Sequence, residues 1–321
     1  MLAAAAQLRP WRYQPHPEVW ILVASLVGAF AYGIRVIGPR AVRQGVVAAD
    51  RVLTRKQLRC FVGAMALLWV GSDWPIHDIG EEYLYSVHML QHMMFTYFMP
   101  PLVLLATPEW LLRTIVGRGR TYRAMRVLTR PLLAGLLFNG MVVISHIPGV
   151  VNESVTIGPL HYVLHLLLVS TALLMWMPVC GAFPEWRMQP APKMVYLFLM
   201  SVVPTIPAAW LTFAEGTVYK HYAQPVRVWG LTVGQDQQLA GATMKLGGTI
   251  FIWSIIVFIF FRRFDIGDEH AGRDRPRSAA SSAQEPLTVA SFGDEPLTYD
   301  DVAAEFERAP ALLEAEQAGG D

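Results

Sequence analysis

The chain has 321 residues, of which 54% are hydrophobic and 16% charged, and its formal net charge is +1. Soluble domains carry about a quarter charged residues, so this composition excludes an ordinary soluble protein and predicts a membrane protein. The charges divide unevenly, with 22 Lys and Arg against 11 Asp and Glu in residues 1–263, and 4 against 14 in residues 264–321.

Seven segments are predicted to cross a bilayer, whose apolar core requires about 20 mostly apolar residues per helix. In chain order they are residues 19–37, 60–74, 84–106, 131–150, 160–180, 194–214 and 239–261. Proline removes a backbone donor and clashes with the preceding turn, so we expect kinks at Pro100, Pro101, Pro204 and Pro207. The predicted fold class is all-α, a polytopic bundle of seven transmembrane helices.

The basic residues of the connections predict the orientation, because Lys and Arg are in excess on the cytoplasmic side. The connections after the first and third spans are the basic ones, with Arg40, Arg43, Arg51, Arg55, Lys56 and Arg59 in one and Arg113, Arg118, Arg120, Arg123, Arg126 and Arg130 in the other. The connections after the second and fourth spans carry only acidic charges. The N-terminus is therefore predicted outside and the C-terminus in the cytoplasm.

Residues 264–321 are predicted to form a separate region after the transmembrane domain of residues 1–263. This region is acidic, rich in Pro, Ala, Ser and Gly, and almost free of aromatic residues, so it cannot form a core of its own. We predict a mostly disordered cytoplasmic tail. Within it, Thr298 is expected to cap a short helix with Tyr299, Val302 and Phe306 on one face, the alternative being a solvated linker.

Seven of the nine histidines fall at the outer end of the predicted bundle, namely His77, His88, His92, His146, His161, His165 and His221. His88 and His92 are one helical turn apart, as are His161 and His165, so each pair lies on a single helix face. Such a pair can hold a metal ion. Imidazole suits copper, zinc, iron and nickel, and nearby thioethers favour copper(I); the nearby methionines are Met89, Met93, Met94 and Met244.

The predicted metal site combines the two pairs with four assisting residues. The pairs supply His88, His92, His161 and His165, and the assisting residues are His146, His77, Asp73 and Met93. Asp73 is expected to orient an imidazole through a hydrogen bond. The alternative is that the histidines are hydrogen-bonded packing residues and the methionines fill gaps in an apolar core. Cys60 and Cys180 match no metal spacing and are predicted to be structural.

Three stretches resemble the CtaG-type cytochrome c oxidase assembly factors. The first joins Asp73-Trp74-Pro75 to the Ser-x-His-Met-x-Gln-His string at Ser86 to His92, the second joins Ser145-His146-Ile147-Pro148 to His161 and His165, and the third is the Asp-Gln-Gln-x-x-Gly-x-x-Met string at Asp236 to Met244. Together they cover most of residues 60–260. Many members have an aromatic residue where this chain has Lys245, a cation that would disfavour a metal at Met244.

The resemblance implies a multi-pass protein of the bacterial plasma membrane that helps to assemble the haem-copper oxidase of the respiratory chain. It would act as a metallochaperone, not an enzyme, and deliver copper to the catalytic subunit alongside other assembly factors. We expect it to contact the lipid bilayer and to have no nucleic-acid partner. Two alternatives remain open, a zinc hydrolase acting on lipid amides and a scaffold for oxidase subunits whose histidines bind no metal.

Overall fold

The computed structural model describes residues 10–224 and 226–273, and these contain helices and connections but no strand. The helices are α1 (Pro17–Arg43), α2 (Arg55–Ser72), α3 (Ile76–Glu82), α4 (Tyr85–Ala106), α5 (Glu109–Val116), α6 (Arg120–Leu128), α7 (Pro131–Ser145), α8 (Pro148–Ser154), α9 (Gly158–Cys180), α10 (Pro190–Phe213) and α11 (Val233–Arg263). Short 3₁₀ turns occupy Ala49–Arg51, Pro184–Trp186, Lys220–Tyr222 and Val228–Gly230.

Five of these helices are long and apolar enough to cross a membrane, namely α1, α4, α9, α10 and α11. The count becomes six if α6 and α7, which meet at an angle of 69°, form one bent span. The second predicted span corresponds to α2, which is 18 residues long but begins with Arg55, Lys56 and Arg59. The described residues thus form an all-helical membrane protein, as predicted, but with five or six candidate spans where seven were predicted.

Many apolar side chains of the bundle are exposed, which is not typical of a soluble protein. None of the first 16 residues of α1 is buried, and Leu132 and Phe213 are 77% and 81% exposed. Exposed apolar patches of this extent mark surfaces that lipid or another protein covers. The larger core lies between α4, α7, α9, α10 and α11, around Phe138, Trp176 and Leu211.

Proline shapes two of the long helices where kinks were expected. Pro100 has no N–H to offer the carbonyl of Thr96, and the preceding residues Met94–Phe98 form a π-helical turn. The freed Thr96 carbonyl accepts a hydrogen bond of 2.9 Å from the indole of Trp176 on α9. In α10, regular helix stops at Val202 and resumes at Thr205 on either side of Pro204.

The fourth span differs from its prediction, because α7 ends at Ser145 and not at residue 150. Proline disfavours helical backbone in the residue before it, and Ile147, which precedes Pro148, is extended (φ −67°, ψ 127°). The chain therefore leaves the helix at His146 and starts the short helix α8. The predicted tail helix around Thr298 lies outside the described residues.

Connections that were predicted to share a side of the membrane contact one another. At one end, the indole of Trp110 donates to the Val52 carbonyl (2.9 Å), and Arg113 pairs with Glu185 (2.9 Å). These contacts join the connections after the first, third and fifth predicted spans. They form the basic end of the bundle.

At the opposite end, the N-terminal segment and the connections after the second and sixth predicted spans meet one another and the end of the fourth predicted span. His16 contacts Asp78 at 3.2 Å, and His221 donates to the Glu81 carbonyl at 2.8 Å. Tyr219 donates to the carbonyl of His146 at 2.9 Å. We call this end, which carries the histidines, the histidine end.

Candidate metal centre

The carboxylate of Glu81, at the C-terminal end of α3, contacts one histidine of each predicted pair. Its Oε1 lies 3.0 Å from His88 Nδ1 and 3.0 Å from His161 Nε2. Burial raises the pKa of Glu81, but the two imidazoles lower it by more, so the pKa of this carboxyl lies well below its usual range. Glu81 is therefore ionised at neutral pH and holds one histidine from α4 beside one from α9.

The inner members of the two pairs bring further ring nitrogens to the same place. The ring centroids of His92 and His165 are 5.0 Å apart, and that of His88 is 4.4 Å from His92 and 5.6 Å from His165. Donor atoms of these three residues lie within 4.8 Å of one another, as do those of Glu81, His161 and His165. We call Glu81, His88, His92, His161 and His165 the histidine cluster.

Two buried nitrogens of this cluster, His92 Nε2 and His165 Nε2, have no hydrogen-bond partner within the described part of the chain. A buried polar atom without a partner is costly, and a bound ion is one way to satisfy it. Imidazole nitrogens with one carboxylate suit a first-row transition metal such as copper or zinc. The histidine cluster therefore fits a metal ion.

The start of α4 is fixed by a residue far along the chain. Asp236 of α11 is 1% exposed, and its carboxylate accepts hydrogen bonds from the backbone N–H groups of Tyr85 (2.9 Å) and Ser86 (3.0 Å). These are orphan donors of the first helical turn, which have no partner within the helix itself. Ser86 Oγ also donates to Asp236 at 2.6 Å. Asp236 thus holds the turn of α4 that leads to His88.

Comparison with protein-family models gives a match over residues 29–265 to the cytochrome c oxidase caa3 assembly factor family (Caa3_CtaG). The chain belongs to this family. Comparisons with curated proteins and with solved structures give no match. The matched segment contains the whole histidine cluster and ends where the predicted tail begins, so the Caa3_CtaG resemblance is confirmed.

The other predicted site residues of this Caa3_CtaG chain lie at three different places. His146 and Met93 lie deeper in the bundle, where both line a small cavity with His92. His77 is at the margin of the histidine cluster, with Nδ1 3.3 Å from the Gln91 amide nitrogen. Its ring packs against that of His16 at 4.9 Å.

Asp73 is in a different environment from the one predicted for it. Its Oδ2 accepts hydrogen bonds of 2.8 Å from the indoles of both Trp20 and Trp69, and its Oδ1 accepts one of 2.9 Å from the Trp74 N–H. Asp73 therefore ties α1 to the end of α2. The carboxylate that contacts the imidazoles of the two predicted pairs is Glu81, for which the sequence predicted only a charge in an outer connection.

Proposed function

We propose that this Caa3_CtaG family member holds copper at the histidine cluster and passes it to the catalytic subunit of cytochrome c oxidase during assembly. The observation that carries the proposal is the convergence of Glu81 and four imidazoles, two with unpartnered buried nitrogens. Copper is the cargo in this proposal. The protein acts as a carrier in the plasma membrane, together with other oxidase assembly factors, and not as an enzyme.

The proposal includes seven crossings, with the histidine end outside and the basic end in the cytoplasm. The contacts between connections support the first six crossings, since each of these spans begins and ends in segments that meet at opposite ends of the bundle. The helix α2 runs from the basic end near Val52 to Asp73, which is bonded to Trp20 near the start of α1. The excess of Arg and Lys in the first and third connections supports the orientation.

Cysteine labelling tests this topology. In a chain whose Cys60 and Cys180 are replaced by serine, Ser291→Cys in the tail should resist an impermeant thiol reagent in intact cells. Thr217→Cys, an exposed position in the connection before α11, should be labelled under the same conditions. The reverse pattern would overturn the orientation and place the histidine cluster on the cytoplasmic side.

The copper content of the oxidase tests the function. In cells that carry only the His161→Ala/His165→Ala variant, we expect the purified oxidase to have a copper-to-haem ratio well below that in wild-type cells, because the variant loses two of its four imidazoles. His270→Ala changes a histidine that follows the seventh predicted span, serves as the matched control and should leave the ratio unchanged. A normal ratio with a reduced amount of oxidase would contradict copper delivery and support the scaffold alternative.

One observation favours the zinc hydrolase as a second candidate. An apolar cleft of about 800 Å³ runs between α1, α2, α4 and α9, and His77, His161 and His165 line one end of it. A lipid chain would fit such a cleft with its polar group near the histidines. Glu81 supplies the acid or base that a catalytic zinc requires. Zinc in the purified protein, together with hydrolysis of an amide lipid, would support this candidate over copper delivery.

A further inference from the structure

A second cluster of histidine and methionine side chains lies directly beneath the histidine cluster. Met89, His92, Met93, His146 and Met244 line a cavity of about 10 Å³. This volume holds about one water molecule. All five side chains are buried, and Met89 and Met244 are only 1% and 3% exposed. We call this group the methionine pocket.

The hydrogen bonds of His146 decide which of its nitrogens carries the proton. Nδ1 lies 2.6 Å from the backbone carbonyl of Val142, an atom that only accepts, so Nδ1 must be the donor. The Nε2 atom of the neutral ring then carries no hydrogen and presents a lone pair. It lies 3.3 Å from Met89 Sδ, a thioether that carries no hydrogen. Two acceptor atoms thus face each other, and a soft cation would satisfy both.

This arrangement is that of a metal ligand fixed by an outer hydrogen bond. Histidines that bind metals usually donate from the other ring nitrogen to a carbonyl or a carboxylate, which sets the tautomer and the direction of the lone pair. The ring of His92, whose Nε2 lacks a partner, has its centroid 5.9 Å from that of His146. His92 therefore borders both the histidine cluster and the methionine pocket.

The donor set distinguishes the two sites. The methionine pocket offers thioethers and neutral imidazoles but no carboxylate, and thioethers select copper(I) over divalent ions. A single positive charge also costs less to bury without a counter-charge than a double one. The histidine cluster has the ionised carboxylate of Glu81 and suits divalent ions as well.

Lys245, adjacent to Met244, does not line the methionine pocket. Its ammonium donates to Thr205 Oγ1 on α10 at 2.6 Å. The cation expected to disfavour a metal at Met244 is therefore directed toward α10.

We propose that the methionine pocket is a separate copper(I) site, and that His92 is the ligand shared with the histidine cluster through which the ion moves between the two sites. The proposal rests on the copper-handling function and adds a place for the ion inside the bundle. Copper remains copper(I) throughout, so no electron is exchanged. Only ligands change, with imidazole and carboxylate partners replaced by thioethers.

Anaerobic copper(I) binding to the purified full-length protein, in competition with a chromophoric chelator, tests the proposal. The Met89→Leu/Met244→Leu variant should bind copper(I) at least about tenfold more weakly at the inner site, while zinc binding at the histidine cluster is unchanged. Leucine fills a volume close to that of methionine, so packing should be retained. Met94→Leu is the matched control, since Met94 is buried on the same helix but packs in another cluster with Phe95 and Met99.

X-ray absorption provides a readout that needs no variant. Copper(I) bound to the wild-type protein should show a sulfur shell, and this shell should persist in His161→Ala/His165→Ala. Copper with nitrogen ligands alone, or an unchanged copper(I) affinity in the double leucine variant, would contradict a copper site in the methionine pocket. Neither result would contradict metal binding at the histidine cluster. A wild-type protein that binds no copper in either oxidation state would overturn both proposals.

Discussion

Replacing both His92 and His165 by alanine should remove nearly all metal from the histidine cluster of the purified protein. Each of the two groups of converging donor atoms contains His165, and His92 belongs to the one that also includes His88. The double change also removes the two unpartnered buried nitrogens. Since two ligands are lost from one site, we expect the affinity to fall by at least about 100-fold, as measured by metal analysis and competition titration.

A change at Glu81 should give a graded effect between wild type and this double variant. Glu81→Gln removes the charge that holds His88 and His161, and loss of a carboxylate that orients ligating imidazoles typically weakens metal binding about 10-fold to 100-fold. Glu82→Gln is the matched control, because it removes a neighbouring carboxylate that is not among the converging donors. Full metal content in the double variant, or equal effects of the two glutamine changes, would contradict the assignment.

The parts of this fold that local patterns encode were predictable from the sequence. Hydropathy predicted the helices, because each membrane helix must carry its own apolar surface. The pairs His88/His92 and His161/His165 were predicted from helical periodicity, and the structure brings the two pairs together. The kink positions followed from proline, although the Trp176 bond to the freed carbonyl of Thr96 did not.

Contacts between distant segments were not predictable. Asp73 and Glu81 are eight residues apart at the same end of the bundle, and nothing local indicates that one meets indoles and the other imidazoles. Which acid meets a histidine depends on how α3 packs against α4 and α9. The methionine pocket likewise depends on the packing of α11 against α4, since Met244 and Met89 are 155 positions apart along the chain.

The role of Asp236 shows most clearly what tertiary structure adds. The Asp-Gln-Gln string carried the family resemblance without a chemical explanation. In the structure, its aspartate caps the first turn of α4, and Gln237 accepts a hydrogen bond of 2.9 Å from the Val218 N–H. Asp236 therefore holds the start of α4 against α11, and Gln237 holds the connection before α11 against the same helix. These backbone contacts hold the helix that carries His88 and His92.

Asp236→Ala should consequently destabilise the histidine end and reduce metal binding together. The substitution leaves the buried N–H groups of Tyr85 and Ser86 without an acceptor, and Arg227, whose guanidinium lies 3.7 Å from the carboxylate, without its counter-charge. Loss of one partner from a buried charged network costs about 3–5 kcal/mol. We expect a lower melting temperature in detergent and, because His88 lies one turn after Tyr85, a weaker metal affinity.

Two further variants separate this capping role from a general effect of charge. Asp236→Asn retains one acceptor oxygen for the start of α4, so its melting temperature should fall between those of the wild type and Asp236→Ala. Glu215→Ala removes an exposed carboxylate from the connection before α11 and should melt as the wild type does. If Asp236→Ala also melted at the wild-type temperature with full metal content, the start of α4 would be held by other contacts. The Asp-Gln-Gln motif would then require a different explanation.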